Sequence, residues 1–450
     1  MFNLRNRLIA ALFAVTLGVS QPTTFGQETD PESALDDFIH YSLVANVEFA
    51  EAYAMTLLRD DMSDVEFYTL VNETKERQQR FDRAVGWALF VSDLEPLAAE
   101  LEQRYQAGRT SVIRDADRLV ESIDLLSGTT RQRLLAENRL IEAGEYAVPP
   151  LLRRLQTAND ASTSRRVRTM LIQIGRDAVL PLQTALPYLD NDSQAVVASV
   201  LGEIGYTHAA PSLLALANDT SETPDVRNAA NSALQRIGIA TNSNLSTMQT
   251  VVAKQFYDGQ TSVLPPAMSG LNIFWVWEPI EQLIVYDVQK DVFDDVMAMY
   301  FASLAIDSDP ENAGAMSVFV AANLRRAREL QGSDDLVFGA LPYSPEFYAT
   351  VFGPEIAQMV LKEALSDGDT ALCLDAIAAL SRTAGARSLI GAENTPLAAS
   401  MYYPDRTVQY EAALTIASTL PKNDFVGSYR VVPLLASAVR NGGEMFALVI

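Results

Sequence analysis

Few residues in this chain are of a type that does chemistry, and only two groups are spaced to act together. Residues 131–176 hold nine arginines and four acids (Glu137, Glu142, Glu145, Asp160), a local +5 in a chain of net charge −23. Arg165, Arg166 and Arg168 fall within one helical turn, and Arg153 and Arg154 lie on the preceding segment. Guanidinium groups gathered this way suit an anion or an acidic peptide, because each offers planar paired donors. Their other use is structural, as an Asp–Arg ladder between neighbouring helices. The second group is Phe274-Trp275-Val276-Trp277. Alternating aromatic rings suit a stacking platform for a peptide or glycan, or a staple between two domains.

The rest of the catalytic repertoire is thin. His40 and His208 are the only histidines, and they stand in different parts of the chain. His40 lies beside apolar positions and reads as a packing residue. The one cysteine, Cys373, cannot form an intrachain disulfide or a Cys-rich metal site, and Ala371-Leu372-Cys373-Leu374 reads as a buried helix face. The pairs Asp60-Asp61 and Asp294-Asp295 read as solvated helix surface. Adjacent helical residues point in different directions, so neither pair converges on one reacting atom. There is no Gly-rich phosphate loop, nucleophile elbow or Cys-x-x-Cys. The sequence therefore predicts no catalytic residue, no cofactor and no metal.

Bulk properties narrow the partners. A pI near 4.5 means repulsion from phosphate backbones and anionic bilayers, which argues against nucleic acid and membrane surfaces. With 48% hydrophobic and 20% charged residues the chain has the material for a large core. The N-terminus has the plan of a secretory signal peptide: Arg5 and Arg7, an uncharged run from Leu8 to Val19, then small residues at Gly18, Ser20 and Gly26. The run is too short to span a bilayer. Cleavage would remove residues 1–26, leave the mature chain at −25 (−23 less two arginines) and make it exported, without membrane insertion.

The elements that must position these residues announce themselves by repetition. Gly144, Gly175, Gly205 and Gly238 recur at spacings of 31, 30 and 33 residues. Leu140, Leu171, Leu201 and Leu234 stand four residues before them, and Pro150, Pro181 and Pro211 six residues after the first three. Steps of four and three place Ala136/Leu140/Ala143, Val167/Leu171/Ile174, Val197/Leu201/Ile204 and Ala230/Leu234/Ile237 on single helix faces. Glycine ends each first helix, and proline opens the second where its missing N–H costs nothing. One such hairpin cannot bury its apolar face alone, but stacked neighbours can.

These residues resemble HEAT repeats, specifically the short bacterial type also found in phycobilisome lyases, and the order of segments resembles that of exported bacterial HEAT-repeat proteins. The resemblance covers about a quarter of the chain by motif. It implies an all-α solenoid, mostly used to bind other proteins, with second helices on the concave side. Iron-binding HEAT-like enzymes use His-Glu pairs, which this sequence lacks.

Around the array, 129–240, the text divides further. Residues 28–128 read as helices: one opening near Ser33, a pair at 36–45 and 47–59, and another pair at 94–107 and 111–126 split at Gly108. Residues 241–285 read as an irregular connector, with Pro265, Pro266 and Gly270 before the aromatic run. Residues 286–330 resemble a tetratricopeptide-like hairpin, on Ala298, Ala305 and Pro310. Residues 331–440 read as a second HEAT-like region, with Val431-Val432-Pro433-Leu434-Leu435 echoing Val148–Leu152. Residues 441–450 end in an apolar run that reads as the start of a further domain in a truncated chain.

The functional expectation is an exported scaffold that binds a protein or peptide, with Arg153, Arg154, Arg165, Arg166, Arg168, Trp275 and Trp277 as candidate contacts. The alternatives are a lyase-type enzyme acting on a partner protein, which the resemblance implies, and an adaptor arm of a longer signalling protein.

Overall fold

A computed structural model describes residues 30–59, 61–263, 271–330, 337–339, 341, 343–383 and 395–441. The expected signal segment and the apolar C-terminal run therefore lie outside the described residues, as does Asp60. The chain divides into two compact units, Met1–Val112 and Ile113–Ile450. Among the described residues both are all-α, apart from one two-stranded hairpin in the second.

In the first unit, α1 (Pro31–Leu43), α2 (Val47–Arg59), α3 (Asp64–Val71), α4 (Lys75–Ala88) and α5 (Glu95–Arg114) pack around Phe38, Phe67 and Phe81, all fully buried. The first helix starts after Asp30, within the Asp30–Ser33 segment from which the sequence opens it. The expected break at Gly108 is absent, and α5 runs through it. A Cβ at Gly108 would collide with the Asp64 carbonyl and with Tyr68, so this glycine permits a close helix crossing rather than a stop. His40 is exposed, not packed in the core.

The second unit continues with α6 (Ala116–Leu125) and then four hairpin-like steps: α7 (Thr130–Ala143) and α8 (Val148–Gln156), α9 (Ala161–Ile174) and α10 (Val179–Ala185), α11 (Asn191–Ile204) and α12 (Ala210–Asn218), and α13 (Pro224–Ile237). Thr129, Asp160, Asp190 and Thr223 cap the longer helices, each side chain accepting a first-turn backbone N–H. The four repeating glycines end them with φ of 56°, 71°, 81° and 84°, a region costly for any residue with a Cβ. Helices α7, α9, α11 and α13 pack one on the next. They bury the predicted rows: Leu140, Leu171, Leu201 and Leu234 are all fully buried. Where α11 crosses α13, a Cβ on Gly202 would lie 2.6 Å from Ala233.

The stretch expected to be an irregular connector contains α14 (Leu245–Tyr257) and the hairpin β1 (Leu271–Glu278) and β2 (Gln282–Gln289). The strands are antiparallel, with Trp275 opposite Val285 and Phe274 opposite Tyr286. Short runs of β-branched and aromatic residues on both sides of a tight turn favour a hairpin. Ile273 and Trp275 join the core of the repeat array, while Phe274, between them, joins the core of the helices that follow. A strand presents successive side chains to opposite faces, so β1 belongs to two cores at once.

Those later helices are α15 (Lys290–Ser308), α16 (Ala313–Leu330), α17 (Pro345–Val351), α18 (Pro354–Asp367), α19 (Thr370–Thr383), α20 (Pro396–Ser400), α21 (Arg406–Ser418) and α22 (Ser428–Asn441). Ala298 and Ala305 are fully buried on α15, and Cys373 is fully buried on α19. Pro433 sits inside α22 rather than in its first turn, so the echo of Val148–Leu152 is not kept in register.

Candidate functional site

The basic island runs over α7, α8, α9 and the turns around them, and much of it is engaged within the chain. Arg154 reaches Asp124 at 3.4 Å. Arg166 Nη1 donates to Ser127 Oγ at 3.1 Å. Arg168 on α9 pairs with Glu203 on α11, and Arg236 on α13 approaches the same carboxylate at 3.6 Å. Arg176 Nη2 donates to the Thr261 carbonyl at 2.6 Å. Arg168, Glu203 and Arg236 thus form one rung across three consecutive helices, an Arg–Glu version of the expected ladder. Arg153 and Arg165 are exposed and have no partner among the described residues.

Trp275 is not a surface platform. Its ring is 6% exposed, and its Nε1–H donates to Glu145 Oε2 at 2.7 Å. It lies edge-on to Tyr146, whose ring also carries the Arg114 guanidinium 4.0 Å from its centre. Trp277 is half-buried and stacks on Tyr188, with centroids 5.2 Å apart and planes 5° from parallel. The aromatic run therefore fastens the hairpin to the turns and helices of the array.

That fastening leaves a cavity of about 590 Å³. Helices α10 and α12, strand β1 and helix α15 form its walls. Size and lining are those of a small-ligand site: a mostly apolar hollow with a few polar groups. Tyr188, Trp277, Phe274 and Tyr300 supply rings, and Tyr300 meets Phe274 edge-on at 5.4 Å. Asp219 and Glu222 supply the charge. Gln183 and Gln249, 7% and 6% exposed, supply buried amides. Gln183 Nε2 donates to the His208 carbonyl at 2.7 Å. Gln249 Oε1 accepts no hydrogen bond among the described residues. Of these residues only Phe274 and Trp277 were singled out from sequence. The others come from five separate elements and share no motif.

Among the titratable groups of the array shifted by burial are Glu145 and His208. Desolvation, raised further by Asp177 and opposed by the Trp275 N–H and Arg114, pushes the Glu145 carboxyl up to about 7. His208 is 2% exposed, and desolvation with the Arg176 charge pushes it down to about 4, leaving it a neutral core residue at physiological pH.

The reading of Asp294-Asp295 as solvated surface needs correction. Asp295 is 2% exposed, and both its oxygens accept from Arg325 Nε, at 2.8 and 3.0 Å. Arg325 Nη2 also donates to the Tyr257 carbonyl at 2.7 Å, and the guanidinium lies over the Tyr257 ring at 4.1 Å. Adjacent helical positions face different ways; here one of them faces α16 and finds a cation. The arrangement is structural: bonded on both oxygens, Asp295 is not free to exchange a proton with a substrate.

Among the described residues no group of three or more His, Cys, Asp or Glu side chains could hold a metal ion, and no helix is long and apolar enough to cross a membrane. No family model matches the chain, and a search of curated proteins finds no match either.

Proposed function

We propose that the chain is an exported HEAT-like scaffold: an α-solenoid, with a tetratricopeptide-like hairpin at α15 and α16, that binds a protein or peptide partner. The observation that carries this reading is the neighbour-on-neighbour packing of α7, α9, α11 and α13 with exposed arginines left over. Arg166 and Arg168 are committed to holding helices together, whereas Arg153 and Arg165 stand on successive helices without such a task. Exposed guanidinium groups in a chain of −23 are poor general adhesives but good specific contacts for an acidic segment of a partner. No reaction is proposed.

The test is affinity capture from an envelope extract with the mature chain and with its Arg153→Glu/Arg165→Glu variant. The expected result is a partner held by the first and lost by the second, with both melting at the same temperature. Equal capture by both proteins, or a lowered melting temperature in the variant, would overturn the assignment of these two arginines.

A further inference from the structure

We propose that the cavity between β1 and helices α10, α12 and α15 is a binding site for an organic cation: an ammonium or guanidinium group carried on an apolar body about the size of one aromatic ring. This does not rest on the scaffold reading, and either can fail without the other.

The charge of the walls points to a cation. Among the described residues the ionisable acids lining the cavity are Asp219 and Glu222, and no Lys, Arg or His lines it. Both carboxylates are held in place. Asp219 Oδ1 accepts from the Ser221 backbone N–H at 2.8 Å and from Ser221 Oγ at 2.6 Å. Glu222 Oε1 accepts from Gln194 Nε2 at 3.1 Å. An anion entering here meets two fixed carboxylates and no basic side chain in the lining; the Arg227 charge acts on Asp219 from outside it.

The rings favour the same ligand. Tyr188, Trp277 and Tyr300 line the cavity, the first two stacked on each other, and a cation over the free face of such a ring is attracted by the ring quadrupole. The apolar part of the ligand would lie against Phe274, Ile273 and Leu216.

A polar anchor is also waiting. Gln249 is 94% buried (6% exposed), and its Oε1 has no donor. A buried acceptor left unpaired is costly, and a primary ammonium or guanidinium brings the N–H it lacks. A neutral hydrocarbon would fill the cavity and leave that oxygen unpaired. A free amine and the lysine or arginine side chain of a peptide share this chemistry.

The experiment uses the full chain and three probes that share a ring and a two-carbon spacing: 2-phenylethylammonium, 2-phenylethanol and phenylacetate. Binding is read by calorimetry and by tryptophan emission, since Trp275 and Trp277, two of the three tryptophans, line the cavity. The ammonium is expected to saturate with a Kd at least about tenfold below that of the alcohol, and phenylacetate is expected not to compete. Glu222→Gln should weaken the ammonium and leave the alcohol unchanged, while Gln249→Leu should weaken both. Thermal melts of each variant separate lost binding from lost folding. Should Gln249→Leu fail to fold, Glu222→Gln and the salt dependence of ammonium binding still decide. An acetylated, amidated Phe-Lys dipeptide distinguishes the sources: tighter binding than the free amine assigns the site to a peptide side chain, weaker binding to a small amine. Three results would each overturn the proposal: an alcohol that binds as tightly as the ammonium, displacement by phenylacetate, or no saturation by the ammonium up to roughly 10 mM.

Discussion

In the repeat array, Arg168 meets Glu203 between successive helices with their side chains 35% and 31% exposed, whereas between α15 and α16 Arg325 meets an Asp295 carboxylate that is 2% exposed. The two regions handle charge differently because they build their cores differently. The array buries short rows of leucine, isoleucine and alanine, renewed every repeat, and its Arg168–Glu203 pair stays at the rim. Helices α15 and α16 are longer, and with α14 they draw an ion pair and the stacked rings of Phe256 and Phe301 into one interior. A rim pair adds little, since water already solvates both partners; an interior pair is costly to break, since the survivor is left without water.

Asp295→Ala should sharpen this contrast most. Stranding Arg325 should cost about 3–5 kcal/mol in urea unfolding, and the double variant Asp295→Leu/Arg325→Met should recover most of it. A loss below about 1 kcal/mol would mean that the interior pair behaves like a rim pair. The next largest effect belongs to the array's own buried acid. The folded pKa of Glu145, about 7, lies above its ordinary 4.5. Its favourable contribution is therefore complete below pH 4.5, is lost as pH rises to 7, and is absent above that. Glu145→Gln removes the cost of ionising there. It should stabilise the chain by about 2 kcal/mol at pH 8 and leave it nearly unchanged at pH 4.5, read as melting temperature against pH. A pH-independent difference would break the argument that burial raises this carboxyl. Smallest of the three, Arg168→Ala should cost under about 1 kcal/mol, and less in high salt. A loss as large as that of Asp295→Ala would erase the distinction between the two regions.

Much of the array was legible because its information is local. The first helix of each repeat carries its own cap, its own apolar row and its own terminal glycine within about thirty residues. What escaped depends on distant partners. Whether Gly108 stops a helix or lets another approach is decided by Asp64 and Tyr68, some forty residues earlier. Whether Asp295 is wet or buried is decided by Arg325, thirty residues later. The hairpin did have a local signal, short runs of β-branched and aromatic residues at Ile273–Trp277 and Leu283–Val288, but the prolines and glycine before it read as irregular chain. The cavity had none. Its walls come from α10, α12, α14, β1 and α15, and only the fold brings Gln249 to the same hollow as Trp277.

Strand β1 has one more consequence. Because Ile273 and Trp275 are held by the array and Phe274 by the helices beyond it, neither interior can loosen while the strand keeps both attachments. The backbone between those three residues works as a tie-bar. It should couple the two interiors, so that both are expected to melt in one transition, which a single calorimetric peak would check.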